Sequence, residues 1–168
     1  MKQIDSQPRR GVWRLHVGMA VFWLAVLGVL YVAMEHYLEP SAATVQSDGS
    51  VHVQRQRDGH FYVDGSINGQ SVRFLIDTGA SSIAVTDALA QRAGLQGGQQ
   101  AQFQTANGVR MGRLVRAKNV AVGPLQVRNL TVGTGYTGAR ADDALLGQNF
   151  LRHFAVSIRG DVLVIQAL

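Results

Sequence analysis

The chain has 168 residues, 46% of them hydrophobic and 16% charged, with a formal net charge of +5 and no cysteine. That length suits one ordinary domain, and the lack of cysteine excludes thiol chemistry and a disulfide scaffold. Past residue 40 there are 12 Lys or Arg against 8 Asp or Glu, scattered and without a dense basic run, so nucleic acid is not an expected partner.

Residues 1–14 form a polar stub carrying Lys2, Arg9, Arg10 and Arg14. Residues 15–37 read as a transmembrane anchor. From Val17 to Met34, VGMAVFWLAVLGVLYVAM holds no charge over 18 residues. At about 1.5 Å per residue this nearly crosses a hydrocarbon core of about 30 Å. The basic stub on one side, with Glu35, His36 and Glu39 on the other, orients the N-terminus to the cytoplasm and exports the remainder. Ser41-Ala42-Ala43 would satisfy a signal peptidase, with cleavage after Ala43. The apolar run is longer than the usual signal core of about 7–15 residues, which favours an uncleaved anchor.

Residues 38–50, LEPSAATVQSDGS, are small and polar without apolar periodicity and read as a linker. From residue 51 to 168 the pattern is one of short strands. HFYVDGSINGQSVRFLID predicts a hairpin turning at Asn68-Gly69. SIAVTDALAQRAGL predicts a helix, N-capped by Thr86 or Asp87 and stopped at Gly94. A second hairpin turns at Asn107-Gly108 and is followed by another strand; LQVRNLTVG adds one more. GYTGARADD reads as a polar loop, ALLGQNFLRHF as two leucines and a glycine ahead of a helical turn, and AVSIRGDVLVIQAL as a closing hairpin about Arg159–Asp161. The fold class expected is all-β: a small closed β-barrel with one or two short helices, preceded by one transmembrane helix.

The candidate chemistry sits in RFLIDTGASSI, where an aliphatic strand runs into Asp77-Thr78-Gly79. A buried strand fixes the carboxylate, and a glycine without Cβ lets a tight loop bring backbone N–H groups to its oxygens. Asp, Thr and Gly are also ordinary turn residues, and such a triplet turns up in roughly one chain in ten of this length. The weight therefore rests on context. GHFYVDGSINGQSVRFLIDTGAS, then TANG, then LLGQNFL follow one another in an order that resembles the retropepsin-like aspartic proteases, in particular single-pass membrane-anchored bacterial members. The likeness runs from about Gly59 to the C-terminus.

The resemblance implies a retropepsin-type barrel with Asp77 as the catalytic acid in an active-site loop of Thr78, Gly79, Ala80 and Ser81. Thr78 would brace two such loops and Gly79 would allow their approach. Thr105, Ala106, Asn107 and Gly108 would be the flap tip over substrate, and Leu145, Leu146 and Gly147 the strand supporting the loop. Retroviral members carry Arg-Asn or Arg-Asp after that glycine, where this chain has Gln148-Asn149. One Asp-Thr-Gly in a half-sized protease implies a homodimer, the second carboxylate coming from another copy. Two carboxylates in contact would share a proton, one acting as base on water and the other as acid toward the scissile carbonyl. The expected protein is a peptide-bond hydrolase of the bacterial inner membrane with a periplasmic catalytic domain. Its partners would be peptide or protein substrate and, through the anchor, membrane lipid; it would need no cofactor and no metal. The alternative is a non-catalytic peptide-binding module of the cell envelope with the same fold.

Other signals are weaker. Asp142 and Asp143 lack a following Ser/Thr-Gly and read as loop or cap residues. His16, His36, His52, His60 and His153 have no metal-ligand spacing. Ser81 and Ser82 lack a nearby histidine, Gly94, Gly97 and Gly98 follow a helix where a phosphate loop would open one, and Arg159-Gly160-Asp161 is explained by a hairpin turn.

Overall fold

A computed structural model describes residues 10–38, 43–105, 108–138 and 140–168. The chain divides into two units, Met1–Pro40 and Ser41–Leu168. In the first, one helix, α1 (Arg10–Leu38), contains a stretch, His16–Met34, long and apolar enough to cross a membrane, with mean hydropathy 2.3. By length and composition, a helix of this kind near the N-terminus can serve as a membrane anchor or as a signal sequence.

The second unit is mostly β. In chain order its elements are β1 (Thr44–Val45), β2 (Val51–Gln54), β3 (Tyr62–Ile67), β4 (Gln70–Ile76), β5 (Ile83–Val85), α2 (Asp87–Arg92), β6 (Gln99–Thr105), β7 (Gly108–Val122), β8 (Leu125–Gly133), β9 (Asp143–Leu146), α3 (Gln148–Leu151), β10 (Phe154–Arg159) and β11 (Val162–Ala167). Four strands form a sheet in the order β1-β2-β11-β10. Seven form the other, β3-β4-β9-β5-β8-β7-β6, and β3 also pairs with β7, so the pairings return on themselves.

Local chemistry explains most of these elements. The β3–β4 hairpin turns at Asn68 and Gly69, with φ of 52° and 84°, the two left-handed conformations a type I′ turn requires. Asn68 is not interchangeable with glycine there. Its side chain donates to the Ala93 carbonyl at 2.9 Å and accepts the backbone N–H groups of Lys118 and Asn119 at 2.8 and 3.2 Å, tying the turn to α2 and β7. Thr86 is the N-cap of α2, accepting the Leu89 N–H at 3.1 Å.

Three expectations change. The helix starts after Thr86, one of the two caps expected, but the residues ahead of that cap in the same stretch are not helical. Ile83–Val85, two of its three residues β-branched, forms β5, whose N–H and C=O groups pair with β8 and β9. The second arm of the Asn107-Gly108 hairpin and the strand after it are one strand, β7, because its partner β8 carries the pairing on from Gly133 to Leu125. Within the stretch read as a linker, Thr44–Val45 pair with β2, and buried Ser50 is held to Asp48 Oδ1 through its N–H and its hydroxyl.

Period-2 alternation builds the core. On β4, Val72, Phe74 and Ile76 are buried while Arg73 and Leu75 face the other way. The inward residues join Ile67, Ile83, Leu89, Leu146 and Phe150 in one cluster, with Val51, Val53, Leu163 and Ile165 from the four-stranded sheet. One more step of alternation carries Asp77 onto the outward side, beside the last turn of the hydrophobic strand that anchors it.

Candidate active site

Asp77 is half-buried at the end of β4, where parallel pairing with β9 sets Leu75 against Leu145 and Ile76 against Leu146. The pairing continues past the strand, since the Asp77 N–H donates to the Leu146 carbonyl at 3.2 Å. The chain then turns tightly. The Ala80 N–H donates to the Asp77 carbonyl at 3.2 Å, and the Gly79 N–H donates to Asp77 Oδ1 at 2.8 Å. A Cβ on residue 79 would stand 3.2 Å from that same oxygen, so glycine keeps the carboxylate's approach open. A carboxylate with one oxygen held by a backbone amide, and no hydrogen bond to the other among the described residues, is oriented for work on a small molecule such as water.

The loop rests on the segment after β9. Gln148 N–H donates to the Ala80 carbonyl at 2.8 Å, Asn149 N–H to the Ser81 carbonyl at 3.1 Å, and Gln148 Nε2 to the Thr78 carbonyl at 3.1 Å. Gly147 is pressed so close that a Cβ would meet the Ser82 carbonyl oxygen at 2.5 Å and that of Ala80 at 2.8 Å. Thus Leu145, Leu146 and Gly147 lie against the loop Thr78–Ser81, although 64 or more residues of chain separate them.

Beside the loop opens a pocket of about 190 Å³ lined by Gly79, Ala80, Ser81, Ala84 and Leu145 together with Phe103, Arg110 and Tyr136. Phe103 comes from β6 and Arg110 is its direct partner on β7. The Phe103 ring sits on two glycines, 112 and 133; a Cβ on either would come within 2.9 Å of the ring. Among the described lining residues there is no Asp or Glu, and Arg110 is the charged one.

Tyr136 also lines a smaller pocket of about 100 Å³ with Tyr62, Arg73, Leu75 and Asp143. Burial, then the neighbouring Asp143 and Asp77 carboxylates, push its phenol above the ordinary tyrosine value, which keeps a neutral hydroxyl beside the site. Burial likewise raises the Tyr62 phenol, followed by its hydrogen bond to Asp58. Asp143 Oδ2 accepts the Arg140 N–H at 2.8 Å and closes the loop ahead of β9; no helix starts there, so of the loop and cap readings it is the loop that the structure shows. Of the expected flap residues, Thr105 and Gly108 close the β6–β7 pairing, while Ala106 and Asn107 lie outside the described residues. Among the described residues no group of three His, Asp or Glu is placed to hold a metal ion.

Tyr136, Phe103 and Arg110 had no signal in the sequence, where they read as loop and strand residues. Only the pairing of distant strands brings them to the pocket.

Residues 63–153 match the family model described as "gag-polyprotein putative aspartyl protease". The solved structure of a retropepsin-like aspartic protease from Rickettsia conorii is similar, with a TM-score of 0.60 and 32% identity over 70% of this chain and 89% of that one. An uncharacterized protein of Rickettsia prowazekii is 28% identical over 94% of this chain and 72% of its own length. An uncharacterized Sinorhizobium protein encoded in the cobV 5′ region is 32% identical over 68% of this chain, which spans about half, 52%, of that relative.

Proposed function

Because the chain belongs to the retropepsin-like, gag-polyprotein aspartyl protease family, we propose that it is a membrane-anchored aspartic endopeptidase assembled from two copies. The observation that carries this reading is the Asp77 carboxylate, fixed by the N–H of Gly79, a residue that lines a pocket, in a chain with a single Asp-Thr-Gly. Asp77 and its counterpart in a second protomer face each other at a two-fold axis. One carboxylate takes a proton from water as it attacks the scissile carbonyl carbon, and the other gives its proton to the carbonyl oxygen. The tetrahedral diol then collapses as the C–N bond breaks and a proton passes to the leaving nitrogen.

In this reading the Thr78 hydroxyls brace the paired loops, and Thr105–Gly108 is the flap tip. The return pairing of β3 with β7 supports a closed barrel. The helix α1 holds the protein in the inner membrane with its catalytic unit in the periplasm. Sharing one membrane raises the effective concentration of protomers, so a weak dimer still assembles.

The test is cleavage of an unfolded protein by the full chain in detergent, wild type and Asp77→Asn side by side, across pH 4–8 and a hundredfold range of enzyme concentration. The expected result is loss of cleavage in the variant and wild-type specific activity that rises with concentration. Equal cleavage by both proteins would refute an Asp77 mechanism, and concentration-independent specific activity would refute assembly from two copies.

A further inference from the structure

The hydrogen bonds around residue 148 form a relay to the candidate catalytic carboxylate. Gln148 Nε2 donates to the Thr78 carbonyl oxygen at 3.1 Å. That oxygen can only accept, which settles which end of the carboxamide faces it. The same peptide unit carries the Gly79 N–H, and this N–H donates to Asp77 Oδ1 at 2.8 Å. A trans peptide is planar, with C=O and N–H pointing opposite ways, so holding one end aims the other. A donor on the carbonyl also polarises the amide and strengthens its N–H as a donor.

We infer that Gln148 is a positioning residue for Asp77, acting through the Thr78–Gly79 peptide. The inference rests on the protease reading for its kinetic consequences and on the hydrogen bonds for its structural ones. Two features set this contact apart from ordinary loop packing. The backbone bonds from Gln148 N–H to Ala80 and from Asn149 N–H to Ser81 already hold the far half of the loop, whichever side chains are present. Among the described residues, it is the carboxamide that reaches the peptide touching the carboxylate.

The test uses the full chain in detergent with Gln148→Met, of similar size but without a donor, and Gln148→Glu, whose carboxyl donates only when protonated. Gln148→Met should lower kcat roughly three- to tenfold, the worth of one neutral hydrogen bond, with KM and Tm nearly unchanged. The Gln148→Glu rate, taken as a ratio to wild type at each pH, should be low at neutral pH. It should recover as pH falls through the usual glutamate range near about 4.3. A merely structural role would not follow the introduced proton. In parallel, the Gly79 amide resonance should move upfield in Gln148→Met while amides of α2 stay in place. Wild-type kcat in Gln148→Met, or a kcat loss tracking a fall in Tm, overturns the inference. If the wild type cuts nothing, the protease reading fails, and the Gly79 resonance decides the inference alone: an unmoved signal overturns it.

Discussion

Asn149 Oδ1 accepts the backbone N–H of Ile83 at 3.0 Å, joining the first turn of α3 to the start of β5 across 66 residues of chain. Its Nδ2 donates to the Thr131 carbonyl on β8 at 2.8 Å. One side chain therefore satisfies two strands where their ladders end beside the active-site loop. Asn149→Ala leaves a fully buried N–H and a carbonyl without these partners, and should cost about 2–4 kcal/mol. Chemical denaturation checks this, and Asn149→Asp, which keeps only the acceptor, should fall between the two.

Gly147→Ala should be more damaging to activity than its one added methyl suggests. The new Cβ would stand 2.5 Å from the Ser82 carbonyl oxygen and 2.6 Å from its carbon. Backbone on one side and β9 on the other leave nothing flexible to yield, so the loop carrying Asp77 must shift. Overpacking of this kind costs about 1–3 kcal/mol. The expected outcome is a lowered Tm together with cleavage reduced beyond the fraction unfolded, read in the same preparation.

The pocket beside the loop should discriminate by charge. Its walls are the small residues of the loop with Leu145, Phe103 and Tyr136, and its cation is Arg110. Peptides placing an acidic side chain there should be cut faster than matched peptides placing lysine there. The advantage should be up to about fivefold, because an exposed pair is worth up to about 1 kcal/mol. Arg110→Glu should reverse the order in a competitive peptide mixture analysed by mass spectrometry.

Asp58 should make a small pH-dependent contribution to stability. The His60 N–H at 2.9 Å, then the Tyr62 hydroxyl at 2.8 Å, hold its carboxyl below the ordinary aspartate range. A carboxyl depressed in the folded state stabilises above its unfolded value of about 3.9, and that stabilisation is lost as pH falls through the folded value. Asp58→Asn keeps an acceptor and removes the charge. At pH 7 it should melt slightly lower than wild type, by about 1–2 °C given the exposure of the site. The gap should close below about pH 4; a gap that is constant from pH 7 to 3 would assign it to packing.

The hairpin at Asn68-Gly69, the cap at Thr86 and the long apolar run of α1 could all be read in the sequence because each depends on neighbours within a few residues. Left-handed φ, a side chain reaching its own helix, and uninterrupted hydrophobicity are local properties. The placement of Asp77 was also local in part, since the buried strand before it and the glycine after it are contiguous. Ile83–Val85 shows the limit. Helix-compatible residues follow it without a break, and it becomes a strand because β8 and β9 offer it partners from 49 to 61 residues away. The pocket walls are of the same kind. Phe103, Arg110 and Tyr136 meet the loop of Asp77 only after strands distant in the chain have paired, and Gln148 reaches the Thr78 peptide only because β9 lies parallel to β4. Motif and local turn chemistry are written along the chain, whereas the surroundings of the carboxylate are set by long-range register, which no short window of sequence contains.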